Sequence, residues 1–191
     1  MSGSAPEAAC ARAPVIIDVE ASGFGRGSYP IEIGVALADG RTTCFLVRPE
    51  DDWTHWDEEA AALHGLDRGV LHAKGKPVRE VARALNELLS GVTAYSDAWG
   101  MDSSWVGLLY DRAALPQRFR IEALSVLLDE SLRATWAARK REVRATMRLA
   151  RHRASADALV IQRALLRSLA SASTGQSDGA SGPLLSGAIP G

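Results

Sequence analysis

An α/β domain, built on a mixed five-stranded sheet flanked by helices, is what the sequence predicts. Three observations carry that expectation. Residues 14–47 hold three consecutive β-type runs. Helix-type and strand-type segments alternate from residue 57 onward. Apolar residues make up 47% of the 191 positions, enough for one buried core.

The elements follow in order. Val15-Ile16-Ile17-Asp18-Val19-Glu20 is a short apolar, β-branched run, typical of a buried strand. A glycine-rich loop, Ala21 to Gly27, separates it from a second strand at Ile31–Leu37. Asp39-Gly40 is a hairpin signal, so Thr42–Val47 should return antiparallel, ending at Pro49. Asp57 can cap a helix that Gly65 ends. Between Pro77 and Leu89, apolar residues recur at helical spacing, and Gly91 stops the pattern. Val92–Tyr95 reads as a fourth strand, Asp102–Leu115 as a helix halted by Pro116, and Phe119–Ile121 as a fifth strand. Helical patterning then covers Glu122 to about Leu149, with room for a break, and a last helix runs from about Ala154 to Ala170. Residues 1–13 and the Gly/Ser-rich residues 172–191 read as disordered tails around a domain spanning 14–171.

Composition excludes some classes. Cys10 and Cys44 stand alone, without a CxxC or Cys/His cluster, so neither a zinc site nor a disulfide framework is expected, and a reducing cytosol is the natural setting. No apolar run reaches the roughly 18–20 residues of a membrane span, and the N-terminal stretch lacks the pattern of a secretory signal. The net charge of −1 gives no general support to a nucleic-acid binder. Its distribution is uneven, however. Arg133, Arg139, Lys140, Arg141, Arg144, Arg148, Arg151 and Arg153 face a single acid, Glu142, in that stretch.

Three short segments carry candidate chemistry. Asp18 and Glu20 are two apart on a predicted strand, so their carboxylates project to one side and repel unless protonated or bridged by a cation. Oxygen ligands of that kind suit Mg²⁺ or Mn²⁺. Asp102 follows a predicted strand and loop and opens a helix. His152 lies five residues before Asp157, which falls in the first turns of the last helix. Imidazole titrates near neutrality and can take a proton from water. Taken singly, each segment has an ordinary explanation: solvated acids at a strand end, a helix cap, a surface histidine.

Taken in order, they resemble the DEDDh 3′→5′ exonucleases of the ribonuclease-H-like superfamily, which include the polymerase proofreading subunit, ribonuclease T and oligoribonuclease. Asp18-Val19-Glu20-Ala21-Ser22-Gly23 is similar to the first motif of that family. Ile31–Val35 looks like its second strand, and His64-Gly65-Leu66 like its His-Gly-aliphatic signature. Asp102 falls where the second-motif aspartate belongs, and His152-x4-Asp157 has the third-motif spacing. Tyr95-Ser96-Asp97 departs from the pattern, standing where the family carries a His-Asn pair.

The resemblance implies a ribonuclease-H-like fold and hydrolysis of phosphodiester bonds at the 3′ end of single-stranded DNA or RNA, releasing nucleoside 5′-monophosphates. Asp18, Glu20, Asp102 and Asp157 would hold two ions, Mg²⁺ or Mn²⁺, and His152 would serve as general base. Ser22, Gly23 and Phe24, with Arg148 and Arg153, are the expected substrate contacts. Asp97 is an alternative acid, and Trp53 and Trp56 are candidates for the rim of the site or a lid over the core. The family resemblance leaves a homodimer open. A competing expectation is an exonuclease-like fold retained as a nucleic-acid- or protein-binding module.

Overall fold

The computed structural model describes residues 13–149 and 152–175. Cys10 and nearly all of the two segments expected as tails lie outside the described residues.

Five strands form one mixed sheet in the order β3-β2-β1-β4-β5. They are β1 (Val15–Ala21), β2 (Pro30–Ala36), β3 (Thr42–Leu46), β4 (Thr93–Ser96) and β5 (Arg120–Ala123). The opening meander pairs antiparallel, β1 with β2 and β2 with β3, whereas β4 and β5 extend the sheet in parallel with β1. Among the described residues six helices flank it: α1 (Glu58–His64), α2 (Arg68–Lys74), α3 (Val78–Leu89), α4 (Trp99–Ala113), α5 (Glu130–Met147) and α6 (Ala154–Gly175). None of the described helices is long and apolar enough to cross a membrane.

Alternation along β1 explains the layering. Ile17, Val19 and Ala21 join the larger core with Val81 and Leu85 of α3 and Val106 and Leu109 of α4. Ile16, on the opposite face, packs with Ala36, Leu132 of α5, and Ala158, Ile161 and Leu165 of α6. The register then places Ile16 beside Ala36, Asp18 beside Gly34 and Glu20 beside Glu32. One sheet face therefore changes from apolar to acidic over two strand repeats, and the acids emerge where α6 begins.

Two residues of β2 dock α6 there. Gly34 leaves room for the α6 backbone, since a Cβ at this position would stand 2.1 Å from the carbonyl carbon of Ala154 and from the nitrogen of Ser155. Glu32, fully buried, accepts hydrogen bonds from Arg153 Nε at 2.9 Å, Arg153 Nη2 at 2.6 Å and the Ala154 backbone N–H at 3.0 Å. It thus satisfies an amide of the first turn of α6.

The expected order of elements holds, with four differences. The short helix α2, capped by Asp67, was not foreseen. Helix α4 starts at Trp99, so Asp102 lies inside its first turn rather than capping it. The segment Glu122–Leu128 is not helical: β5 runs to Ala123 because Glu122 and Ala123 pair with Tyr95 and Ser96, and a 3-10 turn (Leu124–Leu127) follows. Pairing along the sheet overrides local helical patterning here. Helix α6 continues to Gly175, four residues into the stretch expected as a tail.

Candidate functional site

Carboxylates from three separate parts of the chain meet at the acidic end of that sheet face. Asp18 and Glu20 come from β1, Asp102 from the first turn of α4, and Asp157 from the first turn of α6. They line one cleft of about 560 Å³ with Asp97, His64 and His152. Phe24, Leu63, Met101 and Trp105 supply apolar wall, and Lys140, Arg141 and Arg144 of α5 supply basic wall.

Local structure fixes each group. Asp102 is 1% exposed, and Ser96 Oγ donates to its Oδ2 at 2.5 Å. Ser96 Oγ in turn accepts from the Ala98 N–H at 3.1 Å, fixing the turn that leads into α4. Asp157 is engaged at both oxygens: Arg144 Nη2 donates to Oδ1, and His152 Nδ1 lies 2.9 Å from Oδ2. The His152 backbone N–H donates to the Leu63 carbonyl at 3.3 Å, tying the segment before α6 to α1. The His152 side chain remains half exposed at the rim. His64 ends α1, Gly65 takes the left-handed C-cap conformation (φ 66°), and His64 Nδ1 accepts from the Leu66 N–H at 3.0 Å. His64 is therefore a neutral ring with Nε2 protonated, and among the described residues Nε2 has no partner.

The acids raise one another's proton affinity. Burial, then the charges of Asp102, Glu20 and Asp157, hold the Asp18 carboxyl well above the ordinary carboxylate range. Burial followed by Asp157 and Glu32 pushes Glu20 up to about 7, with Arg144 acting in the other direction. Asp102 is also pushed up to about 7, chiefly by burial, against the opposing effect of the Ser96 hydrogen bond. This donor set fits hard divalent cations: the oxygens are many, crowded and short of counter-charge. Ligand atoms of Glu20, His152 and Asp157 already lie within 4.8 Å of one another.

A stability prediction follows from the signs. A carboxyl whose pKa is raised by folding binds more protons folded than unfolded, so its contribution falls as pH rises through the interval between the two values. For Glu20 and Asp102 that interval ends at about 7. Without divalent ions, the melting temperature is expected to fall by several degrees between about pH 5 and about pH 8. Adding Mg²⁺ should restore most of that loss at the higher pH and little at the lower. A melting temperature that is flat over this range, and insensitive to Mg²⁺, would contradict the clustering.

The cleft gathers Asp18, Glu20, Asp102, His152 and Asp157, with Gly23, Phe24 and Asp97 at its edge. Phe24 is 69% exposed and tilted against Trp105, with ring centroids 6.1 Å apart. Other expected contacts are not brought there. Ser22 is buried, its Oγ 3.0 Å from His55 Nδ1 and accepting from the Tyr29 N–H at 3.1 Å, so it braces the loop behind the cleft. Arg153 is consumed by Glu32. Arg148 takes a left-handed conformation (φ 53°) that ends α5 before its side chain can join the cleft stripe. Trp53 is a core residue stacked on Tyr29, and Trp56 packs edge-on against His64, so neither tryptophan forms an open rim. Asp97 is bound by Lys140 Nζ at 2.5 Å and by Trp136 Nε1 at 3.3 Å. Lys140 and Arg144, which line the cleft, belong to the Arg-rich stretch noted in the sequence but were not singled out there. Their spacing of four on one helix face was the available signal.

Fold and cleft together define an α/β domain on a mixed five-stranded sheet, with an acidic center at the end of its first strand. Solved structures of exonuclease I share that fold. The chain is similar to Escherichia coli exonuclease I in complex with a dT13 oligonucleotide, at 16% identity and a TM-score of 0.63, over 87% of this chain and 43% of that one. It is similar also to the zinc-bound form of the E. coli exonuclease I–single-stranded DNA complex, at 16% identity and a TM-score of 0.59, over 87% and 41%. A moderately thermophilic exonuclease I from Methylocaldum szegediense matches at 15% identity and a TM-score of 0.60, over 82% and 40%. The chain thus spans about two fifths of the length of these solved chains. No protein-family model matches the sequence, and no curated protein matches it.

Proposed function

We propose that this chain is a metal-dependent 3′→5′ exonuclease acting on single-stranded nucleic acid. The observation that carries the reading is the convergence of Asp18, Glu20, Asp102 and Asp157 on one cleft, with His152 at its rim. The shared fold with exonuclease I, whose structures hold single-stranded DNA, supports the substrate class. Residues 14–171 would form the catalytic unit and work in the cytosol.

Asp18, Glu20, Asp102 and Asp157 would hold two divalent cations, Mg²⁺ or Mn²⁺. Bound there, such a pair supplies Lewis acidity toward the attacking and leaving oxygens of the phosphodiester. His152 contributes the proton chemistry. With Nδ1 turned to the Asp157 carboxylate, the proton sits on Nδ1 and Nε2 is the basic nitrogen, free to take a proton from water. Phe24 offers an exposed ring on which a terminal base can stack, and Met101 and Trp105 continue that apolar surface. Arg141 also lines the cleft, where it could meet a phosphate.

A digestion panel tests the reading: DNA and RNA oligomers, single- and double-stranded, with Mg²⁺, Mn²⁺ or a chelator. Metal-dependent release of nucleoside 5′-monophosphates from single strands is expected. Intact oligomers in every arm would refute the proposal.

A further inference from the structure

We propose that Arg144 is an exchangeable counter-ion of the cleft, neutralizing Asp157 while the cage is empty and turning to a nucleic-acid phosphate once a divalent cation takes that carboxylate. This inference rests on the metal-cage reading above.

Lys140 and Arg144 lie one turn apart on the face of α5 that borders the cleft, and each binds one acid. Their situations differ. The acid bound by Lys140, Asp97, is only 10% exposed and takes a second bond at the same oxygen from Trp136 Nε1, so that pair is braced from behind. Asp97 also lies outside the four carboxylates proposed for metal. Arg144 binds Asp157, a member of the cage, and also draws down the proton affinity of Glu20.

Each oxygen of Asp157 already has one partner. Arg144 occupies Oδ1 and His152 lies against Oδ2. A divalent cation at this carboxylate would stand beside the Arg144 guanidinium, like charge against like charge. A guanidinium cannot relieve that repulsion by losing its proton, so Arg144 relieves it by turning away as a cation, and a cation leaving one anion is stabilized best by another. The cleft opens beside it, and its planar fork suits a phosphate. One residue thereby offsets acidic repulsion in the empty protein and holds substrate in the loaded one.

Calorimetry separates this from a purely structural salt bridge. Mn²⁺ is titrated into the wild type and into Arg144→Gln, Arg144→Lys and Arg139→Gln, followed by thymidine 5′-monophosphate at saturating Mn²⁺. Arg139 is partly exposed on the same helix, bonds Thr135 Oγ1 and lies outside the cleft, so its variant reports loss of a general positive charge. Removing a competing cation should tighten Mn²⁺ binding by Arg144→Gln about tenfold and weaken the nucleotide about tenfold. Arg144→Lys should fall between it and the wild type, and Arg139→Gln should change either affinity by less than about twofold. If Arg144→Gln does not fold, tighter Mn²⁺ binding by Arg144→Lys is the supporting result. Mn²⁺ affinity that is unchanged or weakened in the folded Arg144 variants overturns the inference and leaves the metal cage standing. Absence of Mn²⁺ binding in the wild type and every variant removes the cage itself.

Discussion

Asp18→Asn is expected to reduce Mn²⁺-dependent release of nucleotides by about 10³-fold or more, while leaving the metal-free fold at least as stable as the wild type. Both halves come from one cause. Asp18 sits where β1 delivers it among Asp102, Glu20 and Asp157, and those charges, added to burial, hold its carboxyl in a region that disfavors ionization. Aspartate is costly to the empty protein, so a neutral side chain of the same shape relieves repulsion. The same charge is what a cation would bind. Thermal melts and endpoint digestion of the purified variant check the two parts together. A variant that keeps more than about a tenth of the activity would remove Asp18 from the center of the site. A variant that melts well below the wild type in the absence of metal would contradict the repulsion.

Gly34→Ala is expected to destabilize the fold by about 3 kcal/mol or more, although it adds one methyl group far from any substrate. The methyl would stand 2.1 Å from backbone atoms of Ala154 and Ser155. Backbone cannot rotate away as a flexible side chain can, so α6 must move. Moving α6 shifts Asp157 and loosens the Glu32 bonds to Arg153 and Ala154. Urea unfolding measures the loss. Gly107→Ala, in α4, is the contrast: no atom lies within 4 Å of the added Cβ, and the same methyl should be neutral or stabilize by up to about 1 kcal/mol. A Gly34→Ala protein within about 1 kcal/mol of wild type would mean that β2 and α6 are not in the contact described.

These two positions mark what was and was not legible beforehand. Alternation along β1 is a local property, so the common side of Asp18 and Glu20 could be read from spacing alone. The His152–Asp157 spacing across a helix start was legible for the same reason. The structural roles of Glu32 and Gly34 were not. They depend on which face of β2 meets α6, a contact made across more than 100 residues of chain. The placement of the basic residues was hidden for a different reason. Lys140, Arg144 and Arg148 are spaced as one helical stripe, and Arg148 would continue it if α5 did not end at Met147. The helix, expected to run to about Leu149, ends two residues earlier, so Arg148 falls at its C-cap while Arg144 lines the cleft. Trp53 was open between the rim of the site and a lid over the core, and it lies in the core. Its stacking partner, Tyr29, lies in the loop before β2, and nothing local announces that the two meet. Asp102 was the least secure acid in sequence, because Asp97 stood nearby as a rival. The structure separates them: Asp102 is held toward Asp18 by Ser96, whereas Asp97 is taken by Lys140.

The most direct test of the central claim follows a 5′-labelled single-stranded DNA oligomer through time with the purified protein and Mn²⁺. The account predicts a ladder that shortens one nucleotide at a time from the 3′ end, releases nucleoside 5′-monophosphates, and is absent with chelator or with Asp18→Asn. An oligomer that stays full length, or a label released first from the 5′ end, would contradict it.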